Sequence, residues 1–359
     1  MPTPDRARAR VACGTVRLLG TGMALPGEPL TTAALCATIE ARFGVSAERH
    51  GRRLASALQV DTRHVVRPFA EAIEAPRPGQ RNPELAAAAL TMALANARVR
   101  AGDLEYVLTH TATPSRAVPG GSAEVAALVG ARCAHAEFRQ ACTGFANALQ
   151  FAFALLREPG CGPVAIVGSE TGSVYLDPRR LAADPAQWIN LLQMGDGAAA
   201  VVLGRDDGDS AAPRIQSAYF GQLPASPPAG LALRAGGSDH VGVDGSAQFE
   251  HDFTAVAREG GALFDAGAAT LRAEGHDLSA AAWLIPHQAS GAVAAAVAEH
   301  FGVPRERVCD HGRRVGNLGS ASIWAALHDT LPRLAAGERC LVLGAEATQY
   351  SFGGFALTR

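Results

Sequence analysis

The chain has 359 residues, enough for about two domains or two fused halves around a sizeable buried core. Hydrophobic residues make up 48% and charged residues 18%, a balance that excludes intrinsic disorder. A formal net charge of −2 points to no nucleic-acid partner, and no run approaches 18 uninterrupted apolar residues, so no membrane span is expected.

Strand-like and helix-like segments alternate along the chain, which predicts an α/β fold. Residues 16–19 read as a strand that ends in a tight turn at Gly20-Thr21-Gly22, and 31–43 as a helix. A dinucleotide reading of those glycines fails, because Pro26 stands where the helix with the third glycine is required. Asn82-Pro83-Glu84 supplies a cap, a first-turn proline and an early carboxylate for a helix reaching about Arg98. Strands are predicted at 106–109, near Phe138, at 164–167 (buried on both faces) and at 199–203. The polar, small-residue stretch 206–212 divides the chain into an amino-terminal half, 1–208, and a carboxy-terminal half, 209–359. The second half opens with a strand at 215–219. It continues through a loop-rich stretch carrying Pro224, Pro227, Pro228, Gly236 and Gly237, then a long helix over 253–272. Further strands are predicted at 283–285, near Val308, at 340–343 and at 355–357.

The residue inventory narrows the chemistry. All 32 basic residues are arginine, so mechanisms that need a lysine, such as Schiff bases, P-loop phosphate binding and Ser–Lys dyads, are excluded. Seven widely spaced cysteines include no CxxC pair, and the 11 histidines form no HExxH, so neither a disulfide framework nor a metal site is predicted. The Arg-rich start, Met1 to Arg10, leads into no apolar secretion segment, so a reducing cytoplasm is the expected location.

Three turns concentrate the remaining reactive groups. Cys142 precedes a predicted helix, where the positive end of the helix favours thiolate, although a buried structural cysteine fits equally well. His287 ends the strand 283–285, where open α/β sheets display their chemistry, or is a satisfied core histidine. Asn317 sits between Gly316 and Gly319, where turn chemistry alone suffices. Taken together, the three make a nucleophile, a base and a neutral donor suited to thioester chemistry.

These segments resemble a known family. The chain is similar to ketoacyl-acyl-carrier-protein synthase III and its relatives. The resemblance spans nearly the whole length. It is carried by Gly20-Thr21-Gly22 through Pro26, Val60 through Thr62-Arg63-His64, the Cys142 segment, Met194-Gly195-Asp196-Gly197-Ala198, Pro286-His287-Gln288-Ala289, Gly316-Asn317 and Phe352-Gly353-Gly354. It implies a thiolase-like five-layer αβαβα fold built from two similar halves, and a homodimer, with a heterodimer as the variant. It assigns Cys142 as the acylated nucleophile, His287 and Asn317 as the pair acting on a malonyl-type extender, and Thr348 as the loop donor to the oxyanion. Acyl-coenzyme A or acyl carrier protein is the implied substrate carrier, with no bound cofactor, no metal, no nucleic acid and no membrane.

The departures from the family pattern are local. Glu346 stands near a usually apolar position and reads either as a proton-transfer or substrate-recognition group or as a loop carboxylate paired with an arginine. Ala292 replaces an arginine that helps hold carrier protein, and Arg53 lies where a coenzyme-A-packing aromatic is usual, so Arg53, Arg313 and Arg314 become the candidate contacts for carrier or coenzyme A. These departures suggest a specialised-metabolism relative. The rival readings are a transferase passing the acyl group to an alcohol or amine, and a non-catalytic partner subunit. A degradative thiolase would need a second cysteine in a carboxy-terminal glycine loop, and Cys340 falls in a predicted strand instead.

Overall fold

The computed structural model describes residues 7–48, 50–70, 77–208, 211–224, 229–234 and 248–359. The first elements are β1 (Arg8–Val11), β2 (Thr15–Ala24), β3 (Leu30–Thr31), α1 (Thr32–Phe43), α2 (Gly51–Leu58), β4 (Thr62–Arg63), α3 (Asn82–Ala97), β5 (Tyr106–His110), α4 (Gly121–Val129) and β6 (Ala134–Phe138). They are followed by α5 (Gly144–Leu155), β7 (Val164–Glu170), α6 (Trp188–Gln193) and β8 (Gly197–Arg205). Next come β9 (Arg214–Gln222), β10 (Leu231–Arg234), β11 (Gln248–His251), α7 (Phe253–Ala273), β12 (Trp283–Pro286), α8 (Val293–Phe301), α9 (Gly312–Val315), α10 (Ser322–Thr330), β13 (Arg339–Glu346) and β14 (Ser351–Thr358).

One sheet runs β12-β13-β14-β9-β2-β8-β7-β5-β6, with β1 added alongside β9. Its two parts meet at the antiparallel pair β2–β9, in the register Thr15↔Gln216, Val16↔Ile215 and Arg17↔Arg214. Helices on both sides produce the layers. α3 lies on β2, β8 and β7 and packs on α4, forming one outer layer. α5 touches β5 and β7 on one side and β9 and β14 on the other, and α10 touches β2, β8 and β12, so these two helices fill the middle. α7 covers β13 and β14, and α8 lies on β12, forming the second outer layer. This is the five-layer thiolase-like arrangement. Its central position explains why α5 and α10 are apolar around most of their circumference.

Most predicted elements appear with longer bounds, and several readings are corrected. Gly20-Thr21-Gly22 is no turn: it lies in the middle of β2. The glycines serve packing, since a Cβ on Gly20 would lie 2.4 Å from Ala93 O and one on Gly22 would lie 2.2 Å from Ala89 O, both on α3. Asn82 is not the cap of α3 but its first residue, with its buried amide donating to Thr111 Oγ1 at 3.2 Å and Thr113 O at 3.0 Å. Glu84 instead accepts from the Arg81 amide N–H at 3.1 Å. The strand expected near Val308 is a single bridge to Leu284. The loop-rich stretch hides a hairpin, β10–β11, while Pro227, Pro228, Gly236 and Gly237 lie outside the described residues. The divide between 208 and 209 also abuts residues outside the described set.

The close approach of α3 to β2 yields a direct test. Gly22→Ala should cost about 1–3 kcal/mol in denaturant unfolding, because neither backbone can yield without shifting a whole element. Gly102→Ala should cost nothing comparable, since a Cβ there meets no atom within 4 Å. Equal stability for the two variants would refute the packing role of Gly22.

Candidate active site

Cys142, His287 and Asn317 each stand at a turn leading away from a strand or into a helix. Cys142 is two residues before the start of α5. His287 follows β12, and its amide N–H donates to Leu343 O on β13 at 2.8 Å, which continues the β12–β13 ladder. Asn317 is clamped to the segment after α6: its N–H donates to Gln193 O at 2.7 Å and its carbonyl accepts from Gly195 N at 3.0 Å. All three residues, with Glu346 and Thr348, line one cavity of about 240 Å³. The sequence separates Cys142 from Thr348 by 206 residues; the convergence of β6, β12 and the turns before α5 and α10 brings them together.

The orientation of the Asn317 side chain is fixed. Its Oδ1 accepts from Gly319 N at 2.9 Å and Ser322 Oγ at 3.3 Å, so the amide oxygen is occupied and Nδ2 is left to donate. Burial lowers the His287 pKa to about 4, so its imidazole is neutral near pH 7. Its Nδ1 is buried with no partner among the described residues. Neighbouring Gln288 is locked by donation to Pro286 O at 2.6 Å and acceptance from Gly312 N at 2.9 Å, which holds the turn.

The environment of Cys142 differs from the thiolate-favouring helix terminus that the sequence suggests. Burial pushes the thiol pKa well above its ordinary value, and the carboxylates of Glu346 and Glu170 push it further. Moreover, the helix end does not present a free N–H to the sulfur at Thr143: that N–H donates to Glu346 Oε2 at 2.8 Å, and Thr143 Oγ1 donates to the same oxygen at 2.7 Å. Thr348 Oγ1 donates to Glu346 Oε1. Glu346 is therefore not in a loop, and among the described residues it is not paired with an arginine. It is the buried last residue of β13, held by two threonines, and it forms part of the wall around the nucleophile.

The candidate arginines lie apart from this cavity. Arg53 is exposed on α2. Arg313 donates to Gln59 Oε1 at 2.6 Å and lies 3.6 Å from Asp61 Oδ2, while Arg314 pairs with Asp329 at 2.8 Å. Among the described residues no three His, Cys, Asp or Glu are placed to hold a metal ion, and no helix is long and apolar enough to cross a membrane.

Two polar groups of the site escape a sequence reading. Glu170, at the end of β7, is buried and accepts from Ala112 N at 3.0 Å, Thr113 Oγ1 at 2.5 Å and Ser320 Oγ at 2.5 Å, thereby tying β7 to the turn of Asn317. Its position after the fully apolar run 164–167 is the one signal that could have marked it as an unusual buried carboxylate. His251, at the end of β11, lines the cavity with Asn190. Neither carries a motif.

Comparison with known proteins decides the family. Residues 136–222 match the model for 3-Oxoacyl-[acyl-carrier-protein (ACP)] synthase III, and 271–358 match its C-terminal model. The β-ketoacyl-[acyl-carrier-protein] synthase III of Sphingopyxis alaskensis is 30% identical over 321 residues, covering 86% of this chain and 88% of that protein. The chain belongs to the β-ketoacyl-acyl-carrier-protein synthase III family. Among solved structures, a synthase III from Pseudomonas aeruginosa PAO1 is 26% identical with a TM-score of 0.74, covering 96% of this chain and 98% of its own. AbyA1, described as a tetronic acid condensing enzyme, superposes with a TM-score of 0.81 at 24% identity, covers 96% of this chain and 100% of its own, and supports the fold.

For a synthase III chain, a carboxylate on the wall beside the nucleophile has a measurable consequence. Glu346→Gln removes one of the two charges that raise the Cys142 pKa, so the pH profile of thiol alkylation at Cys142 should move to lower pH. An unmoved profile, or one moved to higher pH, would contradict this electrostatic role.

Proposed function

We propose that the chain is a condensing enzyme that carries an acyl group as a thioester on Cys142 and extends it by decarboxylative Claisen condensation with a malonyl-type thioester. The observation that carries this reading is the shared cavity of Cys142, His287 and Asn317, with the Asn317 amide turned to donate. An acyl thioester of coenzyme A or acyl carrier protein enters first. The resting thiol needs a base, and the neutral imidazole of His287 takes its proton. The sulfur attacks the acyl carbonyl, the new C–S bond forms, and the carrier thiolate departs and takes a proton from solvent. His287 thus keeps the proton it received, donates it as a hydrogen bond in the next step and returns it to the Cys142 thiolate when the product leaves.

The malonyl thioester then docks. Asn317 Nδ2 and His287 donate to its thioester oxygen, stabilising the enolate as carbon dioxide departs. The carbanion attacks the acyl-Cys142 carbonyl, a C–C bond forms and the C–S bond breaks. The backbone N–H of Cys142 and that of the Thr348 loop serve the transient oxyanion. No resident cofactor or metal enters this scheme.

The substrate carriers approach on the side of Arg53 and Arg313. The charges of Arg313 and Arg314 are partly offset by Asp61 at 3.6 Å and Asp329 at 2.8 Å, the closer pair making Arg314 the weaker contact of those two. A homodimer belongs to the same proposal. It is supported by β6 at one end of the sheet, with Leu128 and Phe151 exposed on the neighbouring α4 and α5.

The test separates condensation from plain acyl transfer. With a loaded acyl group and a malonyl thioester, the wild type should release carbon dioxide. Asn317→Ala should leave loading of Cys142 largely intact and cut C–C bond formation by about 10²–10³, the cost of one oxyanion donor. Robust loading without carbon dioxide from any malonyl or β-keto thioester, with discharge to an alcohol or amine instead, would replace this reading with acyl transfer.

A further inference from the structure

The cavity contains a second histidine whose hydrogen bonding is set by a directional chain. At its far end stands the Asp184 carboxylate, which can only accept and takes a hydrogen bond from Gln187 Nε2 at 2.9 Å. That donation turns the Gln187 amide so that its oxygen accepts from Asn190 Nδ2 at 3.0 Å. The Asn190 oxygen is thereby turned to His251, 2.9 Å from Nδ1. An amide oxygen has no proton to give, so Nδ1 must carry the proton and Nε2 holds the lone pair. The order acceptor-only, amide, amide, imidazole permits no other assignment for the neutral ring.

The ring is also held sterically. Phe253 lies against it with centroids 3.9 Å apart, and Asn190 is buried. His251 Nε2 has no hydrogen-bond partner among the described residues and is not one of the sealed buried atoms. His251 lines both the cavity of Cys142 and the adjoining hollow of about 600 Å³ lined by Leu58, Phe253 and His300. Burial lowers its pKa to about 4, so it stands as a neutral acceptor near pH 7. The rest of the cavity is otherwise rich in apolar groups, including Leu231, Leu263 and Phe264. An oriented acceptor that opens into the cavity is placed to take a hydrogen bond from a donor on the molecule that fills it.

We propose that His251 Nε2 accepts a hydrogen bond from a hydroxyl group on a substrate thioester, so that this enzyme selects hydroxylated acyl or extender units over their unsubstituted counterparts. The inference rests on the reading of Cys142 as the acylated nucleophile. The hydroxyl has two candidate sources, the group loaded on Cys142 and the incoming unit, and the two half-reactions tell them apart.

The experiment uses the full chain and coenzyme A thioesters differing only in a hydroxyl at the second, third or fourth carbon. The first arm follows loading of Cys142 by intact-protein mass spectrometry; the second follows condensation of a preloaded acyl group with malonyl- or hydroxymalonyl-coenzyme A. In one arm the wild type should prefer a hydroxylated substrate by about tenfold, the worth of one hydrogen bond. His251→Phe should abolish that preference, read as the ratio of the rates with hydroxylated and unsubstituted substrates. His251→Gln, which keeps an acceptor, should retain part of it, and Asn190→Leu, which frees the tautomer, should weaken it. The proposal fails if the wild type shows no preference in either arm, or if His251→Phe keeps the preference. It also fails if His251→Phe slows hydroxylated and plain substrates alike, which would assign the lone pair to the carrier arm they share. Absence of loading by every thioester would instead refute the acylation of Cys142.

Discussion

The site depends on how deeply α5 sinks between the two parts of the sheet. Phe145, one turn past Cys142, meets Trp324 of α10 edge-on at 5.5 Å and Phe355 of β14 at 6.1 Å, and all three are fully buried. That depth is available because β13 and β14 present glycines there. A Cβ on Gly344 would lie 2.7 Å from the Phe145 ring, and one on Gly353 would lie 2.4 Å from the Ala146 Cβ. The same contacts fix α5 relative to α10, and thus the turn of Cys142 relative to the turn of Asn317. Aromatic pairs of this kind add about 0.5–1.5 kcal/mol each beyond their buried area. Their larger role here is geometric, since a shift of α5 would carry the nucleophile out of register with its partners.

Around that frame the electrostatics keep the resting nucleophile uncharged. Two buried carboxylates, Glu346 and Glu170, act on the thiol with the same sign as burial itself. Glu346 also occupies the first N–H of the nucleophile turn, a group that would otherwise stabilise a thiolate. Both cavity histidines are held neutral by burial. Such a site postpones charge until a thioester arrives, and the cost of forming the thiolate is met only when a base and an oxyanion donor are both engaged.

The parts of this arrangement legible in the sequence are those where a turn residue and a strand end coincide. Cys142, His287 and Asn317 could be found because each stands at a turn within two residues of a glycine or proline, at the end of a strand-like segment or the start of a helix-like one. Gly20 and Gly22 were open to misreading, because a glycine that admits a helix to a strand looks, in sequence, like a glycine that makes a turn. Glu346 follows the same logic: the pairing of β13 with β14 carries the strand to residue 346, and nothing local distinguishes that from a loop. His251 and Asn190 are invisible because their relation is purely tertiary. The hairpin that brings His251 to α6 is short and set in a stretch of prolines and glycines, and the polarity of its relay is decided by a carboxylate 67 residues away in the chain.

The most direct measurement is the mass of the intact protein after exposure to a panel of acyl-coenzyme A thioesters, followed by peptide mapping of the adduct. A single acyl group on Cys142, absent from the Cys142→Ala variant, is the expected result. An adduct on another cysteine, or none with any thioester while the protein remains folded, would contradict the assignment of Cys142 as the nucleophile and the chemistry built on it.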